Sequence, residues 1–286
     1  MKQTLDEQEL ADIRRLAEAC EEHEGIRLKL NWEMLQDRQE GRTNDLLYYK
    51  DGKLAGFLGI YIIIPSAAEL SGMVHPDFRR QGIFTEMMEA AIRLLAVSGP
   101  PELIYICPRD SISGTAFMKQ RGQPYAFSEY GMERAAHAEV LPPSQGRYPE
   151  FTLRIAEERD AKTIAELNQA GFNMPAADAD SLASSRLLPQ ELIYLIEVDG
   201  RAVGKLGVLT EGSTAFIFGF CMRPEERGRG IGRAALAAVM ERLQRERNMD
   251  TFELEVAASN ERALGLYESC GFRRTNVIDY YKQSLL

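Results

Sequence analysis

Arg227-Gly228-Arg229-Gly230-Ile231-Gly232 is the stretch on which the reading of this sequence turns. It follows an apolar run, Ala215 to Met222, that ends at Arg223-Pro224, and it opens a long segment, Ile231 to Arg247, with helical spacing. In that segment Ile231, Ala235, Ala238, Val239 and Arg242 fall on one face, with charges mostly opposite. A strand-to-helix turn made of glycines can bend sharply and aim several backbone N–H groups at one point. The first helical turn adds unpaired donors and the positive end of the dipole. Together these predict an anion site fit for a pyrophosphate. No Gly-Lys-Ser/Thr follows, so the loop is not that of the nucleotide hydrolases. The dinucleotide fingerprint fails at Arg233. The bland alternative is a tight turn and nothing more.

A version of this stretch occurs earlier. Arg79-Arg80-Gln81-Gly82-Ile83 precedes Arg227-Gly228-Arg229-Gly230-Ile231 by 148 positions, and Asp51-Gly52-Lys53-Leu54-Ala55-Gly56 precedes Asp199-Gly200-Arg201-Ala202-Val203-Gly204 by the same offset. Two matches at one offset identify a duplication. Between the copies, Ala135 to Gly146 is rich in small residues and contains Pro142, Pro143 and Gly146, which reads as a linker. We expect a first domain over 1–136, a linker over 137–149 and a second domain over 150–286.

In the second copy, Phe151 to Ile155 alternates as a strand, and Glu157 to Ala170 has helical spacing. Ile193 to Val198 and Val203 to Leu209 are strands joined by Asp199-Gly200, a favoured hairpin dipeptide. After the long helix come a strand at Thr251 to Val256, a helix at Glu261 to Cys270 and a last strand at Tyr280 to Leu285. The first copy repeats most of this order without its opening strand. The layout is α/β with a mixed sheet.

A second constellation lies in the same half: Asn260-x-x-Ala263-x-x-Leu266-Tyr267-x-x-x-Gly271-Phe272. Seven residues, about two helical turns, place Asn260 and Tyr267 on one face. Asn260 suits a helix cap, and Tyr267 presents a phenol toward the sheet; alternatively it is a plain core aromatic.

The glycine turn followed by this constellation resembles the GNAT acetyltransferase superfamily. The resemblance implies two tandem GNAT domains, each a mixed, mostly antiparallel sheet flanked by helices. It implies that the pyrophosphate of acetyl-CoA rests on the backbone of Arg227, Gly228, Arg229, Gly230, Ile231, Gly232 and Arg233. The pantetheine arm would pair with the strand at Phe220, Cys221 and Met222, and Asn260 would contact that arm. Tyr267 would protonate the departing thiolate. Leu254-Glu255-Val256-Ala257-Ala258-Ser259-Asn260 is similar to a stretch of the bacterial ribosomal-protein N-terminal alanine acetyltransferases, with Glu255 at the place of their base and Ala257 where they carry arginine. Acyl transfer to an amine needs such a base and acid.

The first copy is degenerate. Phe84 stands where the last glycine belongs, and aligning Gly122 with Gly271 matches Met118 to Tyr267, Ser111 to Asn260 and Ile106 to Glu255. Methionine cannot protonate a thiolate. Glu69, ten residues before Arg79, is a separate candidate base there. The tandem layout with a degenerate first domain also resembles mycothiol synthases, which acetylate a sugar-linked cysteine amine.

The bulk composition agrees with an enzyme of this kind. The chain has 286 residues and a formal charge of −9, which gives no electrostatic case for nucleic acid or an anionic membrane and suits cationic amines. Cys20, Cys107, Cys221 and Cys270 form no C-x-x-C pair, and with three histidines no metal site is expected. Free thiols, no secretory segment after Met1 and no apolar run longer than Phe57 to Pro65 lead us to expect a cytoplasmic protein. The reading is therefore an N-acetyltransferase that uses acetyl-CoA on a primary amine of a small molecule, peptide or protein N-terminus. A non-catalytic acyl-CoA-binding regulatory module is the alternative.

Overall fold

The computed structural model describes residues 1–38, 44–135, 138, 148–184 and 191–285. Most of the expected linker, and residues 185–190, lie outside the described residues. Along the chain come α1 (Glu7–Glu24), α2 (Trp32–Gln36), β1 (Asp45–Lys50), β2 (Lys53–Ile64), β3 (Ala67–Val74), α3 (Ile83–Ser98), β4 (Glu102–Pro108), α4 (Ile112–Gln120) and β5 (Tyr125–Ala135). The second copy runs β6 (Thr152–Ile155), α5 (Ala161–Phe172), α6 (Ala176–Ser184), β7 (Glu191–Val198), β8 (Arg201–Glu211), β9 (Thr214–Met222), α7 (Ile231–Arg247), β10 (Thr251–Ala257), α8 (Glu261–Ser269) and β11 (Arg273–Ser284). Among the described residues no helix is long and apolar enough to cross a membrane.

Local chemistry explains the shared elements. Asp51 and Gly52 have φ of 52° and 76°, and Asp199 and Gly200 have 50° and 74°. Two consecutive left-handed residues are what a two-residue hairpin matching strand twist demands, and Asp-Gly tolerates them. At the start of α1, Asp6 and Glu9 form a capping box, and Gly25 ends the helix in the left-handed region. The opening strand missing from the first copy survives as a single bridge, Lys2 to Asp45.

The chain divides into two compact units, residues 1–128 with 276–286, and residues 129–275. In unit 1 the strand order is β1-β2-β3-β4-β11. β3 and β4 are parallel over Ala67–Leu70 and Glu102–Tyr105, and β11 lies antiparallel to β4 from Ile278↔Pro108 to Ser284↔Glu102. α3 covers one face through Met87, Met88 and Ala91, and α1 covers the other through Ile13, Leu16 and Cys20 against Phe57, Tyr61 and Met73.

In unit 2 the order is β5-β10-β9-β8-β7-β6. β5 pairs antiparallel with β10 over Glu129–Ala135, and β9 pairs parallel with β10 only from Thr214↔Thr251 to Ile217↔Leu254. α7 and α8 pack on the face bearing Leu206, Ile217, Phe252, Leu254 and Val256. α5 packs on the opposite face, with Ile193, Leu195 and Cys221. Burying a side chain such as Phe252 or Leu236 completely is worth about 2 kcal/mol each.

Three expectations need correction. The last strand starts at Arg273, not Tyr280, and it completes unit 1 rather than the sheet of its own half. β5, which the sequence reading missed, completes unit 2. The units are therefore not the contiguous halves 1–136 and 150–286. Finally, Arg242 does not join the buried stripe of α7: Leu236, Met240 and Leu243 do, and Arg242 lies over the Tyr194 ring and pairs with Glu246.

Candidate active site

β9 ends at Met222, a 3-10 turn follows at Pro224–Glu226, and α7 begins at Ile231. Between them Gly228 and Gly230 adopt φ of 77° and 82°. No backbone acceptor among the described residues takes the N–H groups of Gly228, Arg229, Gly230, Ile231, Gly232 or Arg233; the first bond of the helix is Ala234 N–H to Gly230 O, 3.2 Å. A run of unpaired donors at the positive end of a 17-residue helix is an anion cradle. Half-buried Arg233 has no ion pair among the described residues, so its cation adds to that field.

Arg227 behaves differently from the rest of the loop. Its backbone N–H is used by Pro224 O (3.3 Å). Its guanidinium bonds Met222 O (3.0 Å) and Gly171 O (3.0 Å), stapling the loop to the end of β9 and to α5. Arg229 pairs with Glu226 on the surface. The donors of the cradle therefore come from 228–233, with Arg227 as its brace.

Beyond Ile217 and Leu254 the parallel strands part. This frees the β10-facing edge of β9 at Phe220, Cys221 and Met222. One extra residue in β9 accompanies the parting: Cys221 pairs with Lys205 and Phe218 with Gly207, so Gly219 and Phe220 together face Leu206. Gly219, at φ 54°, forms this bulge.

On the α7/α8 face, Asn260 caps α8, its Oδ1 accepting from Ala263 N–H at 3.1 Å. Tyr267 is buried, with its ring 6.4 Å from Phe220 and 5.9 Å from Phe272 between centroids. Its hydroxyl has no hydrogen-bond partner among the described residues. Burial first, then the neighbouring Cys270 and Cys221, push its phenol well above the ordinary range, so it carries its proton at neutral pH. Glu255 comes just past the last β9–β10 pair, opposite Gly131. Since Leu254 and Val256 enter the α7/α8 core, strand alternation turns Glu255 to the α5 face. The two candidate catalytic residues thus stand on opposite faces, either side of the parted strands.

Lys205 escaped the sequence reading. It lies on β8, 4% exposed, on the α5 face beside Cys221. Its Nζ donates to Gly219 O at 2.9 Å and lies 5.7 Å from the Phe172 ring centroid. No carboxylate pairs with it among the described residues, and burial pushes its ammonium below the usual lysine range. The available signal was a lysine inside the apolar run Val203 to Leu209.

Unit 1 keeps the loop, and its parallel strands likewise stop pairing beyond Leu70 and Tyr105, but the side chains around them differ. Arg80 and Gly82 hold φ of 62° and 85°, matching Gly228 and Gly230. Ser111 caps α4 as Asn260 caps α8, through Gly114 N–H at 3.0 Å. Gly122 and Gly271 both have positive φ, and buried Met118 holds the place of Tyr267. The Ser111 hydroxyl, however, donates to Glu24 (2.7 Å), the last residue of α1, and Arg79 pairs with the same carboxylate. Burial alone would raise the Glu24 carboxyl; hydrogen bonds from Ser113 and Ser111 and the Arg79 charge outweigh it and hold the carboxyl below its usual range. An ionised carboxylate beside the loop opposes a phosphate there. Glu69 lies within the paired part of β3, opposite Tyr61.

Comparison with known proteins agrees with this geometry. The model of the acetyltransferase (GNAT) family matches the chain twice, over residues 8–122 and 155–272. A mycothiol acetyltransferase of Thermobispora bispora is 29% identical over 303 aligned residues, covering 99% of this chain and 98% of the relative. That of Thermomonospora curvata is 28% identical, covering 97% and 95%. Among solved structures, a GCN5-related N-acetyltransferase of Sphaerobacter thermophilus superposes with a TM-score of 0.77 at 20% identity, covering 99% of this chain and 95% of that one. A tandem GNAT protein from the clavulanic acid biosynthesis pathway superposes with 0.71 at 18%, covering 98% and 96%; at such identities the likeness is one of fold. The likeness of residues 254–260 to the ribosomal-protein alanine acetyltransferases is not among these findings. Two copies of one family model, spanning most of the chain, establish that it belongs to the GNAT acetyltransferase family as a tandem member.

Proposed function

We propose that this chain is an acetyl-CoA-dependent N-acetyltransferase of a primary amine, cytoplasmic, with its chemistry in unit 2. The observation that carries the reading is the run of unpaired N–H groups from Gly228 to Arg233 at the mouth of the parted strands β9 and β10. These donors, with Arg233, receive the pyrophosphate. The free edge at Phe220 to Met222 pairs with the amides of the pantetheine arm, and the Asn260 side chain lies beside that arm. Tyr267, protonated at neutral pH, gives its proton to the leaving thiolate on the α7/α8 face. Glu255 takes the proton of the acceptor ammonium from the α5 face, so donor and acceptor approach from opposite sides. No residue of this scheme calls for a metal.

For the acceptor, the names of the relatives and the tandem layout favour mycothiol chemistry, an amine on a sugar-linked cysteine. In unit 1, Met118, Ile106 and the Glu24–Ser111 contact argue against a second catalytic centre.

Titration calorimetry with acetyl-CoA tests the reading on the wild type, Gly230→Glu and Gly82→Glu. One site per chain, lost only in Gly230→Glu, is the expected result. Two sites, each lost with its own variant, would make unit 1 a cofactor-binding domain. No binding to the wild type would sink the reading.

A further inference from the structure

Lys205 has no structural necessity behind it. Burying an amine with one carbonyl as its bonded partner is costly, and an apolar side chain would serve the core of β8 better. The duplication supplies the control. Phe57 stands 148 positions before Lys205, and the equivalence holds in the sheets, where Gly56 pairs with Val74 as Gly204 pairs with Met222. In unit 1, β2 and β3 run from Gly56↔Val74 to Tyr61↔Glu69 with no shift of register. In unit 2 the same stretch carries the bulge. Lysine and bulge thus occur together in the unit with Tyr267, and both are absent where methionine replaces the tyrosine.

The physical link is the carbonyl of Gly219. A bulge removes one residue from the ladder and leaves its polar groups without strand partners. Lys205 Nζ takes that carbonyl at 2.9 Å, and Gly219 holds the left-handed conformation that the bulge requires, with the amine also 2.9 Å from where a Cβ would stand. With Gly219 O held toward the α5 face, Phe220 turns to the α7/α8 face, where its ring meets Tyr267.

We propose that Lys205 is a positioning residue of the unit 2 cleft, which fixes the Gly219 bulge and thereby aims the Phe220–Met222 edge at the amide arm of the acyl donor. This rests on the acetyl-CoA reading above. The lysine acts through the strand and carries no proton in the reaction.

The test is calorimetric titration of the full chain with acetyl-CoA, alongside thermal unfolding, for the wild type, Lys205→Met and Lys205→Gln. Lys205→Met keeps the volume and removes the donor; Lys205→Gln retains a shorter donor. We expect Lys205→Met to bind acetyl-CoA about tenfold or more weakly, because the edge is no longer held in its pairing position, while its melting temperature changes little, since relief of the buried amine offsets the carbonyl left unpaired. Lys205→Gln recovers part of the affinity. A merely structural lysine would lower the melting temperature and would not be rescued in binding alone. A second variant, Lys205→Phe with Gly219 deleted, recreates the straight pairing of unit 1 and is expected to fold and to lose binding. Unchanged affinity in Lys205→Met, wild-type affinity in the deletion variant, or parallel loss of melting temperature and affinity each overturns the proposal. A wild type that does not bind acetyl-CoA overturns the underlying reading instead, so the two failures are distinguishable.

Discussion

Replacing Tyr267 with phenylalanine separates catalysis from packing. The ring makes the contacts that matter to the core, at 6.4 Å from Phe220 and 5.9 Å from Phe272, and phenylalanine keeps both. The hydroxyl has no partner among the described residues, so no protein hydrogen bond is lost. The expected change in stability is therefore within about 0.5 kcal/mol, or a degree or two in melting temperature for a unit of this size. As general acid, the same hydroxyl is expected to contribute about 10²- to 10⁴-fold to kcat, roughly 3 to 5 kcal/mol of barrier. The assay follows thiol release from acetyl-CoA with an acceptor amine, beside calorimetric affinity for acetyl-CoA and thermal unfolding. An acid at this position predicts a fall in kcat of at least about a hundredfold at unchanged acetyl-CoA affinity and unchanged melting temperature. A fall of less than threefold would refute the acid role, and a parallel loss of affinity would mean that the phenol serves binding.

Two further outcomes follow from side chains with defined partners. Asn260→Ala removes the cap on α8 and is expected to cost about 1 kcal/mol, seen as a drop of a few degrees in melting temperature. Asn260→Asp keeps an acceptor for Ala263 N–H and holds that temperature; weaker acetyl-CoA binding in this variant would report the side-chain amide, and unchanged binding would confine Asn260 to capping. The second outcome concerns pH. The Arg154 guanidinium chiefly, helped by Glu157 N–H against some burial, holds the Asp160 carboxyl down to about 2. A carboxyl lowered in the folded state stabilises fully above its ordinary range near 4 and loses that contribution as pH falls through about 2. Arg154 is open to solvent, so the contribution is about 1 kcal/mol. Asp160→Asn should melt lower than wild type at neutral pH, and the gap should close between about pH 4 and 2; a gap independent of pH would contradict the assignment.

Much of the fold was legible because its causes are short-range. Asp-Gly at 51–52 and 199–200 specifies hairpin turns by the conformations those residues tolerate, and the stripe of Ile231, Ala235 and Val239 specifies a helix by its period. The glycine turn before that helix and the cap at Asn260 are equally local, so the turn with its unpaired N–H groups and the start of α8 were placed by residue number.

Tertiary structure decided what depends on edges and partners distant along the chain. A strand carries no local mark of the edge it will join; pairing energy settles that, and it assigns β5 to unit 2 and β11 to unit 1. The bulge was invisible for a related reason. β9 holds one residue more between Ile217 and Met222 than β3 holds between Leu70 and Val74, and the hairpin before it holds one fewer, so the offset of 148 is unchanged on both sides. Only pairing exposes the shift, and with it the role of Lys205. In the same way, the resemblance puts Arg227 among the backbone donors of the turn, whereas folding gives its N–H to Pro224 O and brings Met222 O and Gly171 O to its guanidinium. Folding also carries Glu24 to Ser111 across 87 residues and leaves the two loops, alike in sequence, in clefts of different charge.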